Sequence, residues 1–137
     1  MSPERVLIQQ IFITDSADGL GKLAGQALLV SGRHVVPRVR DKQRLSDIQD
    51  LLDQGARAVI GNLEYLEQTV KRVGKIKHLG RMDAVIYNAG IISARQLLPV
   101  NVLAPYLLTA LITRPSRLIY LSSGMHRGGR PALEAIW

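Results

Sequence analysis

Apolar and polar positions along the chain fall into short hydrophobic runs that alternate with stretches of three- and four-residue spacing. Ile8 to Thr14 is a β-branched run that ends at Asp15-Ser16-Ala17-Asp18-Gly19, the pattern of a buried strand feeding a turn. Leu20, Leu23, Ala24, Ala27 and Leu28 then recur at helical spacing, and Gly32 supplies a stop. A second strand is expected over His34 to Val39, with regular pairing ending at Pro37, which lacks a ladder donor. A helix over about Ser46 to Gln54 follows, then a third strand, Arg57 to Ile60. Gly61-Asn62 leads into a helix with Leu66, Val70, Val73 and Ile76 on one face. Asp83 to Tyr87 reads as a fourth strand, Gln96 to Ile112 as a long apolar helix and Arg117 to Leu121 as a fifth strand.

Five alternations of strand and helix with short connections predict an α/β fold, a doubly wound parallel sheet of the Rossmann type in the order 3-2-1-4-5 with helices on both faces. The expected domain runs from residue 1 to 124. Residues 125–137 contain Gly128-Gly129 and Pro131 with no sixth strand pattern, which predicts a loosely ordered tail.

The chain has 137 residues, the size of one domain. No apolar run approaches the ~20 residues of a membrane span, and Met1-Ser2-Pro3-Glu4-Arg5 lacks the layout of a secretion signal, so a cytoplasmic protein is expected. Zero cysteines exclude disulfides, thiolate catalysis and cysteine zinc sites. Lys and Arg number 18 against 11 Asp and Glu, a net charge of +7 that favours anionic partners. Lys71, Arg72, Lys75, Lys77 and Arg81 cluster on and after the third helix. A solvated helix face explains them as well as nucleic-acid phosphates do, and 4% aromatic residues leave little for base stacking. His34 and His78 have no metal-ligand spacing. Ser122, Ser123 and His126 lack both a nucleophile elbow and an orienting acid, which argues against a hydrolase.

Gly19-Leu20-Gly21-Lys22-Leu23-Ala24 satisfies G-x-G-x-x-G/A, in which missing side chains let backbone amides and a helix N-terminus approach a pyrophosphate. The motif follows the first strand and opens the first helix, the context that this mechanism requires. Glycines serving only a tight turn are the plainer alternative.

The run Thr14-Asp15-Ser16-Ala17-Asp18-Gly19-Leu20-Gly21 resembles the Thr-Gly-x-x-x-Gly-x-Gly turn of the short-chain dehydrogenase/reductase family. Asn88-Ala89-Gly90 after the fourth strand is similar to that family's Asn-Ala-Gly motif, Asn101 to its helix asparagine, and Ser123 to its catalytic serine. The resemblance implies hydride transfer between a nicotinamide dinucleotide and a small alcohol or carbonyl. It assigns cofactor contacts to Thr14, Ser16, Gly19, Leu20, Gly21, Asn62, Asn88, Ala89 and Gly90, and a catalytic role to Ser123 and Asn101. Arg38 and Arg40 at the end of the second strand would accept a 2′-phosphate, which favours NADP. Asp41, about twenty residues past Gly21, keeps NAD open.

Two departures from the family pattern stand out. Asp15 occupies the place of the first glycine and sets a carboxylate beside the expected phosphates, which predicts weakened cofactor binding. No Tyr-x-x-x-Lys occurs, since Tyr65, Tyr87, Tyr106 and Tyr120 are followed four positions on by Thr69, Ile91, Ala110 and Gly124. The resemblance makes that pair the proton-transfer machinery, so a truncated, catalytically impaired member of the family is expected. The alternative is a non-catalytic module that self-associates through the exposed edge of the fifth strand.

Overall fold

The computed structural model describes residues 7–91 and 95–130. Five parallel strands form one sheet: β1 (Gln10–Ile13), β2 (His34–Val39), β3 (Val59–Ile60), β4 (Ala84–Tyr87) and β5 (Arg117–Tyr120), in the order β3-β2-β1-β4-β5. The helices between them are α1 (Gly19–Val30), α2 (Gln49–Asp53), α3 (Leu66–His78) and α4 (Ala104–Leu111). A 3-10 run, Lys42–Ile48, leads into α2, where an α-helix from Ser46 was expected; the Asp41 carboxylate caps it by accepting from the Arg44 N–H at 3.1 Å. The order of strands matches the pattern read from the sequence. Chain direction across the sheet reverses between β1 and β4, and loops that leave the carboxyl ends on either side open a crevice there.

β2 does not end at Pro37, which sits opposite Ile13 of β1 in register. The Val35 and Val39 carbonyls accept from Arg57 and Gly61 at 3.2 and 3.0 Å, so Pro37, two residues from each, turns its missing donor toward β3. That side is where pairing contracts: β3 is two residues long where four were expected.

Two apolar clusters sandwich the sheet. Phe12, Val36, Val59 and Val85 meet Val73 and Ile76 of α3 and Ala104 and Leu108 of α4 on one face. Ile11, Ile13, Val35 and Val39 meet Ile48 and Leu51, with Ala24 and Leu28 of α1, on the other. The buried face of α3 is Thr69, Val73 and Ile76, whereas Leu66 and Val70, expected on that face, are exposed. Similarly, α1 buries Gly21 and Gly25 and leaves Leu20 and Leu23 in solvent: the inward face starts against the turn after β1, at Gly21, and presses on Leu51 of α2, at Gly25, with little room for larger side chains. All four residues of β5 are exposed. The expected tail, residues 125–137, begins inside a 3-10 turn, Gly124–Gly128, and its residues 131–137 lie outside the described residues. Among the described residues, no helix is long and apolar enough to cross a membrane.

Candidate functional site

Thr14 closes β1 and is 2% exposed. Its hydroxyl oxygen accepts from the N–H groups of Asn88 and Ala89 at 3.0 and 2.9 Å, tying the end of β1 to the loop after β4. Asn88 answers through its side-chain amide, which donates to the Asp15 carbonyl at 2.8 Å. Ser16 is fully buried and donates its hydroxyl to the Ile13 carbonyl at 3.3 Å. Thr14 and Asn88, expected at the cofactor, therefore spend these side-chain groups on holding the two loops together, and Ser16 on closing its own turn onto β1.

Gly21 sits against that knot. A Cβ at this position would fall 1.6 Å from the Asp15 carbonyl oxygen and 2.6 Å from Asn88 Nδ2, so only glycine lets α1 start this close to the β1 turn. Gly19 adopts φ +56°, left-handed backbone that glycine takes at little cost, with open space around it. Gly19 and Leu20 are exposed at the helix start, and Asp18 occupies the N-cap without a side-chain cap bond. The first intrahelical bond runs from Lys22 N–H to the Asp18 carbonyl, which leaves the N–H groups before it without intrahelical partners.

An open cleft of ~130 Å³ lies over the carboxyl ends of β1, β2, β3 and β4. Asp15, Arg38, Arg40, Asn62 and Gly90 line it, joined by Arg44 and Glu64, which the sequence pattern did not single out. The Asp41 cap that seats Arg44 at the mouth was the readable signal for that arginine. Arg38, expected to grip a 2′-phosphate, is 8% exposed, and its guanidinium donates to the carbonyls of Thr14 and, at 3.0 Å, Gly61. Burial lowers its pKa to about 10, against the opposing pull of Asp15. Arg40, by contrast, is exposed, 3.6 Å from Asp41. The end of β2 explains the split: Arg38 lies inside the strand, covered on the sheet, whereas Arg40 follows its last residue, Val39, where the chain bends away into solvent. Asn62 accepts from the Glu64 N–H at 3.0 Å and so shapes the loop after β3.

A second hollow, of ~360 Å³, opens over β4 and β5 between Asn101, Tyr120 and Ser123. Ala89, Gly90 and Ile91 line both hollows and form their common wall. Asn101 lies in a π-helical run, Pro99–Leu103, just before α4. Its side chain accepts from the Ile91 N–H at 2.9 Å and donates to the Ile91 carbonyl at 2.8 Å, so it fixes the wall. Ser123 is exposed in the loop after β5, where its carbonyl faces His126 Nδ1. Beneath the hollow, the rings of Tyr87 and Tyr120 stack with centroids 4.8 Å apart, and the Tyr87 and Thr109 hydroxyls meet at 2.6 Å. Burial raises the Tyr87 pKa, which makes it a poorer proton donor than an ordinary phenol. Among the described residues, no cluster of His, Cys, Asp and Glu could hold a metal ion.

The short chain dehydrogenase family matches this chain over residues 9–115. An uncharacterized oxidoreductase of Emericella nidulans is 35% identical across 93% of this chain and 55% of its own length. The short-chain dehydrogenase chyC of Penicillium rubens is 32% identical across 93% of this chain and 53% of its own. The chain thus spans about half the length of these curated relatives. In fold it is similar to a short-chain dehydrogenase from Streptomyces avermitilis (TM-score 0.78, 18% identity, 95% of this chain and 55% of that one). It is likewise similar to one from Sphingobium yanoikuyae in complex with NADPH (TM-score 0.74, 20% identity, 88% and 56%). The match over residues 9–115, the strand order and the motifs at the carboxyl edge lead to one conclusion: this chain belongs to the short-chain dehydrogenase family.

Proposed function

We propose that the two hollows take one nicotinamide dinucleotide, NADP(H) in preference to NAD(H), and that the chain supplies the cofactor-binding half of a hydride transfer between that dinucleotide and a small alcohol or carbonyl. The observation that carries this reading is the shared wall: Ala89, Gly90 and Ile91 border a basic cleft on one side and the Ser123 hollow on the other. A ligand with a charged nucleotide end and a less polar nicotinamide end suits that pair. The residues fit the group at the turn, where Gly21 leaves no room for a Cβ and the exposed start of α1 offers N–H groups to a diphosphate. The dinucleotide, when bound, supplies the hydride.

In this reading Gly19, Leu20 and Gly21 face the diphosphate. Arg40 and Arg44 take the 2′-phosphate, with Arg38 fixing the floor beneath them through its bonds to the Thr14 and Gly61 carbonyls. Asn62 borders the adenine end, and Ala89 and Gly90 the ribose. Ser123 stands where a substrate oxygen can accept its hydrogen bond, and Asn101 holds the Ile91 backbone that separates the two halves. These 137 residues contain no Tyr-x-x-x-Lys, and loss of a positioned acid typically costs ~100- to 10,000-fold in rate. The chain by itself is therefore expected to bind cofactor and to turn over poorly. A strand-edge interaction module has only the exposure of β5 in its favour.

Titration of the protein with NADPH, followed by cofactor fluorescence, tests the binding. Saturation at one equivalent, with weaker binding in Arg40→Ala and an unchanged fold, is the expected result. No fluorescence change at millimolar protein contradicts the reading. Absorbance decay with a panel of ketones then measures turnover, which is expected to stay below about one per minute.

A further inference from the structure

One side chain on the wall of the basic cleft has no place in that binding scheme, the carboxylate of Asp15. Asp15 lines the hollow with Arg38, Arg40 and Arg44, and it cannot withdraw by a backbone shift. Its carbonyl is held by Asn88 at 2.8 Å and lies against the Cα of Gly21, and Ser16 beside it is fully buried. The cations around it are occupied elsewhere. Arg38, from β2, spends its N–H groups on the Thr14 and Gly61 carbonyls. Arg40 at the end of β2 is 3.6 Å from Asp41, and Arg44 of the 3-10 run is 2.9 Å from Asp47. The other carboxylates are Asp18 at the N-cap of α1 and Glu64 after β3. Among the described residues, Asp15 has no ion-pair partner within 4.0 Å.

We propose that Asp15 makes dinucleotide binding proton-linked: the cleft takes up about one proton, at this carboxyl, when an anionic dinucleotide enters, and affinity rises as pH falls. The proposal rests on the site reading above and adds to it the residue that sets how strongly a given charge state binds. In the free protein, burial, with Asp18 nearby, already holds the Asp15 carboxyl above the usual aspartate range, and Arg38, the Ala17 N–H from which it accepts and Arg44 only partly oppose this. A diphosphate brought beside it raises that value further, since like charges disfavour the ionised form. Proton uptake on binding is the thermodynamic consequence of a pKa that is higher in the complex than in the free protein.

Calorimetric titration with ADP-ribose tests this between about pH 5 and pH 8. The probe carries no 2′-phosphate, and its diphosphate stays ionised, so the protein supplies the titrating groups. Titrations in buffers of different ionisation enthalpy report the protons taken up by the wild-type protein, which needs no variant. Wild-type protein is expected to weaken toward a tenfold loss per pH unit as pH rises, the limit for one linked proton. Asp15→Asn, whose fold is checked by circular dichroism, is expected to bind about tenfold tighter at pH 8, with a flat pH profile and no buffer dependence attributable to this site. Binding by both proteins with identical pH profiles and no proton uptake overturns the role of Asp15 and leaves the dinucleotide site standing. No binding by either protein at any pH overturns the dinucleotide reading itself.

Discussion

Gly21→Ala perturbs the contact on which the site geometry turns. The new Cβ would lie 1.6 Å from the Asp15 carbonyl oxygen and 2.6 Å from Asn88 Nδ2, both far inside contact distance. Asn88 must give up its 2.8 Å bond to Asp15, which contributes about 1 kcal/mol. The start of α1 must also move off the β1 turn, an overpacking cost of about 1–3 kcal/mol. The total, about 2–4 kcal/mol, corresponds to a fall in Tm of roughly 6–20 °C for a domain of this size. Thermal and urea unfolding followed by far-ultraviolet circular dichroism measures it. Gly74→Ala is the internal control: that glycine is exposed within α3 with nothing within 4 Å, so alanine should stabilise the protein by about 0.5–1 kcal/mol. If Gly21→Ala unfolds within about 2 °C of the wild-type protein, α1 does not pack against the β1 turn as described.

Further outcomes are expected. Thr14→Val removes the oxygen that accepts from the Asn88 and Ala89 N–H groups, and should cost about 2 kcal/mol or more in urea unfolding. Arg38→Leu should destabilise the protein through the Thr14 and Gly61 carbonyls it strips of donors, while Arg40→Ala should leave Tm unchanged and lower NADPH affinity about tenfold relative to NADH. Asp15→Asn should raise Tm at pH 7. The folded-state pKa of Asp15 lies above its unfolded value, so protonation favours the fold; the advantage of the variant should vanish as pH falls through that raised pKa toward 3.8. Asn101→Ala should free the Ile91 N–H and carbonyl and increase hydrogen exchange at Ile91, with about 1–3 kcal/mol lost.

The strand order was legible because each apolar run is short, β-branched and followed by a helical period, and β2 occupies the expected residues. Which helix face turns inward was less so. Leu20 and Leu23 fit an apolar stripe on α1, but close approach to the β1 turn and to Leu51 of α2 selects Gly21 and Gly25, a tertiary constraint that hydrophobicity does not encode. The motif residues Gly21, Asn88 and Gly90 do converge at the carboxyl edge. The division of labour between Arg38 and Arg40 depended on where β2 ends, with Arg38 inside the strand and Arg40 just past it, and the reach of β2 past Pro37 on which neighbour its missing donor faced. The π-helical run that aims Asn101 at Ile91 has no evident sequence signal, because helical periodicity continues through it.

The cleft at the carboxyl edge of the sheet is where the dinucleotide must bind. Nitrogen-15 amide mapping during titration with NADPH tests it most directly. The expected shifts concentrate at Gly19, Leu20, Gly21, Arg40, Ala89 and Gly90. Shifts confined to β5, or none at millimolar cofactor, contradict it.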